Sequence, residues 1–237
     1  VLWAGSKDIL EGNRHVNTVY HKNLIREGAL RSFPFLLKLR QRRYDISINV
    51  HTLGRVHYRY VARFIGARIR VSHEYSGSNR ALDRWLVNRM VPEDYGVHSV
   101  ENNNRLLPLL DARPLLERHE FEIFLGDGER QWAEQFIATH APAPRARLGI
   151  HVGSGGTKNL KLKRWPFGHY RDLLLRLRES HPELAILLFG GPEEQAEHAQ
   201  LVAELKNPLL LVPLTKNLRQ AAALMRHCNA FLSVDTT

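Results

Sequence analysis

The chain of 237 residues contains a single cysteine, Cys228, so it can form neither an internal disulfide nor a multi-thiolate zinc site. That economy fits a reducing compartment. Its thirteen histidines are scattered, none in an H-E-x-x-H pattern, and no bound metal or other cofactor is expected. No apolar run approaches the roughly 18–20 residues that a membrane span needs, which argues against an integral membrane protein. The opening VLWAGSKDIL also lacks a basic leader followed by an apolar stretch. A hydrophobic fraction of 43% and a charged fraction of 24% rule out a disordered tail or a fibrous repeat.

What the chain has is positive charge, Lys+Arg 34 against Asp+Glu 24, for a formal net charge of +10. The excess is concentrated between residues 11 and 80. There Arg14, Lys22, Arg26, Arg31, Lys38, Arg40, Arg42, Arg43, Arg55, Arg59, Arg63, Arg68, Arg70 and Arg80 face only Glu11, Glu27, Asp45 and Glu74. Such a region attracts anions, and its long-range field does not choose among nucleic acid, anionic lipid and a phosphorylated substrate.

Short apolar runs alternate with helical patterns, the signature of βα units around a mostly parallel sheet, so the fold class is α/β. Strands are expected at Val1–Ala4, Thr18–Tyr20, Asp45–Val50 and Ala67–Ser72. A helix is expected to be capped by Ser32, with Pro34 in its first turn and Phe33, Leu36 and Leu37 on its buried side. Another runs from Gly54 to Gly66 with Val56, Tyr60 and Phe64 on one face. Residues 80–140 read as mainly helical, and APAPRAR at 141–147 reads as a linker, because two prolines so close cannot continue a helix. The expected division is therefore residues 1–140, a linker at 141–147, and residues 148–237. In the last part strands are expected at 148–153, 185–191, 209–214 and 230–235. Helices carrying Phe167, Tyr170, Leu174 and Leu177, then Glu193–Leu205 and Leu218–His227, lie between them. Both ends of the chain fall on strand-like residues, so it is expected to be a piece of a longer protein.

The segment most informative about chemistry is HVGSGGTKNLKLKRWP, residues 151–166. Gly153, Gly155 and Gly156 let backbone N–H groups approach an anion, and Lys158, Lys161, Lys163 and Arg164 add charge. It is neither a P-loop nor G-x-G-x-x-G, since Asn159 follows Lys158 and Lys158 itself occupies the place of the last glycine. A phosphate cradle and a basic surface loop fit the spacing equally. Other strand ends offer Glu193 and Glu194, which could accept hydrogen bonds from ribose hydroxyls or simply favour a helix N-terminus. They also offer Thr215 and Lys216, and Asp235 with Thr236, which could touch a ligand or only start a helix or turn. Arg55, Arg59 and Arg63 fall at i, i+4 and i+8, along one side of a helix, as an anion-binding stripe or a solvated face. His51 and His57 lie close by in sequence.

Taken in order, the His-x-Gly-Ser of residues 151–154, Lys163-Arg164-Trp165-Pro166, FGGPEE at 189–194, Leu218 and SVDTT at 233–237 resemble glycosyltransferase family nine, the family of ADP-heptose:lipopolysaccharide heptosyltransferases. Upstream, LEGNRHVNTVY, LRQRRYDISINVH and FIGARIRVSH agree with it, and the resemblance covers nearly the whole chain. It implies a GT-B fold: two Rossmann-like domains, the second holding a nucleotide-sugar and the first an acceptor. Carried over by position, Ser154, Gly155 and Lys163 would contact the donor phosphates, Lys163 stabilising the departing diphosphate without a metal. Glu193 or Glu194 would meet the ribose, with Thr215 beside the base or phosphate. Asp235 and Thr236 would border the diphosphate and sugar, although Thr237 stands where the family has glycine. Arg55, Arg59 and Arg63 would face an acidic, lipid-linked saccharide.

The resemblance places the general base in the family's first βα unit, upstream of this chain, so the fragment alone is expected not to transfer sugar. It further implies an inverting, cytoplasmic enzyme using an ADP-sugar, in peripheral contact with the anionic inner membrane. The alternatives are a nucleotide-sugar epimerase or hydrolase of the same fold, or a basic nucleic-acid-binding module. The last lacks the interleaved aromatics of an RNA-recognition strand, and no nucleic-acid partner is expected.

Overall fold

A computed structural model of the chain describes residues 4–50, 55–115, 120–142, 145–153 and 163–234. Packing divides it into two compact units. One is Lys22–Glu122; the other is Ile123–Thr237 joined by the stretch before Lys22, which holds helix α1 (Ala4–Leu10).

In the Lys22–Glu122 unit, strands β1 (Ile46–Ile48), β2 (Ile69–Glu74) and β3 (Arg89–Pro92) form a parallel sheet in the order β1-β2-β3. Helix α2 (Leu24–Gln41) precedes β1, and α3 (Val56–Ile65) and α4 (Arg80–Leu86) are the two crossovers. Gly66 ends α3 in the left-handed region at φ +82°, where a glycine costs nothing. The core gathers Ala62, Ala67, Val71, Leu86 and Val87. Beyond β3, α5 (Ser99–Asn104) is tied to the sheet by the His73 ring, whose Nε2 lies 2.9 Å from the Asn102 carbonyl oxygen.

The second unit is built from α6 (Asp127–His140), β4 (Arg147–His151), α7 (Phe167–Ser180), β5 (Ala185–Phe189), α8 (Gln195–Leu205), β6 (Leu210–Leu211), α9 (Leu218–Met225) and β7 (Ala230–Ser233). Its four strands are all parallel, in the order β6-β5-β4-β7. Every residue of β5 is buried, and successive side chains feed opposite faces. Ile186 and Leu188 join Ile150, Tyr170, Leu174 and Leu201 in one cluster; Leu187 and Phe189 join Ala133, Ile137 and Leu224 in another. Each buried Leu, Ile or Phe among them contributes about 1.5–3 kcal/mol by leaving water.

Several elements differ from the sequence expectation. The strand expected from Val1 is instead helical from Ala4, the residues before it lying outside the described set, and Thr18–Tyr20 form no strand. Strand propensity is expressed only where a neighbouring strand is there to pair with. Helix α2 starts well before Ser32, capped by Asn23, whose side chain accepts from the Arg26 N–H at 3.0 Å. Its backbone breaks at Gly28 (φ +75°), Ser32 is buried within the helix, and Phe33 is 51% exposed rather than on the buried side. Within the stretch read as mainly helical, Arg89–Pro92 is a strand, recruited by register with Val71–Glu74 rather than by any alternation of its own. The division of the chain falls between residues 122 and 123, not at 141–147. Pro142 follows the end of α6, but Ala133 and Ile137 pack with Leu187 and Leu224, and packing decides which unit a helix joins.

Candidate nucleotide site

Reading β6-β5-β4-β7 along the sheet, the chain moves outward from β4 through β5 to β6 and then returns to the other side of β4 for β7. Right-handed crossovers place helices on opposite faces where the strand order reverses, and such a reversal is where a crevice opens outside the carboxyl ends of the strands. A cleft of about 450 Å³ occupies this end of the unit. It is walled by residues at or after all four strand ends: His151 of β4, Phe189 to Pro192 after β5, Pro213, Thr215 and Lys216 after β6, and Ser233 of β7. Leu218, Ala221 and Met225 of α9 with Phe231 form an apolar side, and Asp8 of α1 lies on the rim. The arrangement suits a ligand with a flat apolar part and a polar, anionic part.

Local sequence explains the walls. Gly190 must be glycine because a Cβ there would stand 2.8 Å from both Glu194 Cβ and His198 Cε1, so the turn can lie down on α8. Asn217 caps α9, accepting from the Gln220 N–H at 2.9 Å, and Lys216 N–H donates to Gln220 Oε1 at 2.8 Å. These bonds hold Thr215 and Lys216 at the mouth. The N-terminal stretch is strapped on by Arg219, which donates to Glu129 Oε1 at 2.8 Å and to the Glu11 carbonyl. That guanidinium, more than any other influence, holds the Glu129 carboxyl below its ordinary range.

Beneath the cleft lies a buried polar group. Glu194 is 3% exposed, with Oε1 accepting from Arg164 Nη2 at 2.9 Å and Oε2 from the Gly191 N–H at 2.8 Å. Arg164 also donates to Glu197 Oε1 at 3.2 Å. Burial lowers the imidazole pKa of His151 and of His198, with Glu194 pulling each part of the way back up. His151 Nδ1 lies 3.5 Å from Ser233 Oγ, linking the ends of β4 and β7.

The residues expected at a donor site separate. Thr215 lines the cleft, as does its neighbour Lys216. Lys163 is exposed just upstream of α7 and is not among the lining residues; Glu193 is exposed on the β5–α8 turn. Glu194, expected as a ribose acceptor, points inward with both oxygens already hydrogen-bonded, because a buried carboxylate must find donors. Ser154, Gly155, Asp235, Thr236 and His51 lie outside the described residues.

The arginine stripe also divides. Arg55 is exposed at the start of α3, but Arg59 is 2% exposed, its Nε 2.8 Å from Asp83 Oδ1 and its guanidinium over the Tyr75 ring. It joins α3 to α4 and cannot face an acceptor. Arg63 lies over the exposed ring of Trp85, while His57 is half-buried with its pKa lowered mainly by burial. Sequence reasoning missed His151 and His198. The former could have been found as the last residue of a strand, whereas the latter needs the register of α8 against the β5 turn. Among the described residues no group of His, Cys, Asp or Glu could hold a metal ion, and no helix is long and apolar enough to cross a membrane.

The family model of glycosyltransferase family 9 (heptosyltransferase) matches residues 34–237. The chain belongs to glycosyltransferase family 9. Its fold matches a family 9 glycosyltransferase from Veillonella parvula with a TM-score of 0.76 at 20% identity, over 97% of this chain and 63% of that one. It also matches the Escherichia coli ADP-heptose lps heptosyltransferase II, with a TM-score of 0.69 at 20% identity over 98% and 68%. A third match is the E. coli heptosyltransferase WaaC with ADP-2-deoxy-2-fluoro heptose, with a TM-score of 0.61 at 19% identity over 87% and 60%. At such identities the likeness establishes the fold: α/β units with parallel sheets, in the GT-B class that the sequence resemblance implied. The chain spans 63% of the Veillonella protein. No curated protein matches it in sequence.

Proposed function

We propose that this family 9 chain carries the donor site of an inverting heptosyltransferase that takes heptose from ADP-heptose and delivers it to an acidic, lipid-linked saccharide of the lipopolysaccharide inner core. The observation that carries the reading is the cleft outside the carboxyl ends of β4, β5, β6 and β7, at the reversal of strand order. Its apolar side, Leu218, Ala221, Met225 and Phe231, suits a purine; Thr215 and Lys216 at the other side suit phosphate. Glu193, exposed on the neighbouring turn, is the remaining candidate for the ribose. Lys163, with Ser154, Gly155, Asp235 and Thr236, is assigned to the diphosphate on the strength of the family resemblance. There a fixed cation and backbone donors would stabilise the charge that develops on the leaving group, with no metal required.

On the acceptor side, Arg55 and Arg63 remain exposed and able to meet acidic groups, while Arg59 is withdrawn from that role. A cytoplasmic enzyme resting on the anionic face of the inner membrane accords with the basic excess of residues 11–80.

A thermal-shift panel of ADP, UDP and GDP tests the donor. A nucleotide that binds only the native state raises the melting temperature by mass action. The expected result is a selective rise with ADP that Lys216→Ala diminishes. Equal response to all three, or to none, rejects an adenine nucleotide. Product analysis with ADP-heptose, with and without a saccharide acceptor, separates transfer from hydrolysis or epimerisation.

A further inference from the structure

Gly153 and Arg164 flank residues 154–162, and both meet the same side chain. A Cβ on Gly153 would overlap the Glu194 carboxylate, so that backbone rests directly on it. Arg164 reaches the same carboxylate from the other flank, through Nη2 to Oε1 at 2.9 Å, while Nη1 takes Glu197 Oε1 at 3.2 Å. The remaining Glu194 oxygen holds the Gly191 N–H at 2.8 Å. One buried carboxylate thus ties three backbone segments that leave β4, enter α7 and leave β5.

Stability alone is a poor explanation for such a group. A buried ion pair roughly breaks even against apolar residues of the same volume, because desolvation consumes the attraction. What the pair does supply is fixed geometry beside Lys163, which directly precedes Arg164. It also commits Arg164 to two carboxylates. We infer that Glu194 and Arg164 are positioning residues that clamp Gly153 and Lys163 onto the β5–α8 turn, so that the lysine ammonium is presented to the diphosphate already ordered. The inference rests on the donor reading above. Ordering Lys163 in advance removes part of the entropy cost of binding, and losing the clamp should weaken diphosphate binding roughly threefold to tenfold.

The test uses the full chain, with ADP and inorganic pyrophosphate titrated separately by calorimetry. Trp165, stacked on His169 and edge-on to Tyr170, reports the clamp locally as a 5-fluorotryptophan resonance assigned by Trp165→Phe. In Glu194→Gln and Arg164→Met, affinity for both ligands should fall by similar factors and the Trp165 resonance should move. The double variant should be no weaker than either single, and Arg164→Lys should recover part of the loss. A loss confined to ADP, with pyrophosphate binding intact, would mean that Glu194 touches ribose and overturns the clamp. Additive losses, or wild-type affinity with an unmoved resonance, overturn it as well. If Glu194→Gln fails to fold, Gly153→Ala, which pushes on the same carboxylate, must reproduce the loss. Wild-type chain that binds neither ligand rejects the donor reading itself; binding that survives both substitutions rejects the clamp alone.

Discussion

The two parallel sheets differ in one respect that governs where a ligand can go. Among the described residues, each new strand of β1-β2-β3 is added on the same side, so right-handed crossovers keep α3 and α4 on one face and the order does not reverse. In β6-β5-β4-β7 the order turns back at β4, and the cleft lies at that end. Both units also hold a buried carboxylate paired with an arginine, Asp83 with the buried Arg59 and Glu194 with the part-buried Arg164. The first joins two helices, with its guanidinium over the Tyr75 ring; the second borders the β5–α8 turn that walls the cleft. Identical chemistry therefore serves packing in one unit and, as inferred above, site geometry in the other.

The sharpest way to break this contrast is to remove one partner of the first pair. Asp83→Ala leaves the Arg59 charge buried and unpaired and should cost about 3–5 kcal/mol. Urea unfolding followed through Trp85 should show the loss, while ADP affinity stays at its wild-type value. A matching fall in ADP affinity would show that the pair is not confined to packing.

A smaller effect is expected at the β5 turn. Gly190→Ala places a methyl 2.8 Å from Glu194 Cβ and His198 Cε1, and relieving that overlap should cost about 1–3 kcal/mol. Denaturation followed through Trp132 and Trp165 measures it, and no change would mean that the turn yields freely. Smaller still, Lys216→Ala should weaken ADP roughly threefold to tenfold, with the difference shrinking at high salt. Arg63→Ala, in the other unit, should leave ADP binding unmoved.

The smallest expected effect is a pH dependence. Burial depresses the imidazole pKa of His151 and His198 below 6.5, so between the folded and unfolded values the unfolded chain binds more protons. Their contribution is fully present above pH 6.5 and is lost as pH falls through the depressed values. Urea midpoints from pH 7.5 down to 5 should decline, and His198→Gln should flatten the decline. An unchanged slope in that variant would remove His198 from the account.

Much of the second unit was legible beforehand. The strands at 148–153 and 185–191 and the face of Tyr170 and Leu174 are apolar runs that the structure buries, and 230–235 was found from its apolar run although Ala230–Ser233 is exposed. Thr215 was found from the rule that ligands gather at strand ends. Arg59 and Glu194 both turn toward buried partners that their local sequence does not reveal, for a shared reason. Periodicity shows which residues occupy one side of a helix but not whether that side meets water or an oppositely charged partner. Asp83 lies far along the chain from Arg59, the member of the stripe it pairs with, and Arg164 lies 30 residues from Glu194.

Local pattern by itself determined the α/β class, the family, the order of the main strands and the basic excess, because backbone geometry and side-chain period act over a few residues. Only the tertiary structure decided that α6 belongs with the later strands, that the sheet reverses at β4, and that two arginines turn inward. Those outcomes depend on desolvation and on contacts between residues distant in sequence. No local window carries that information.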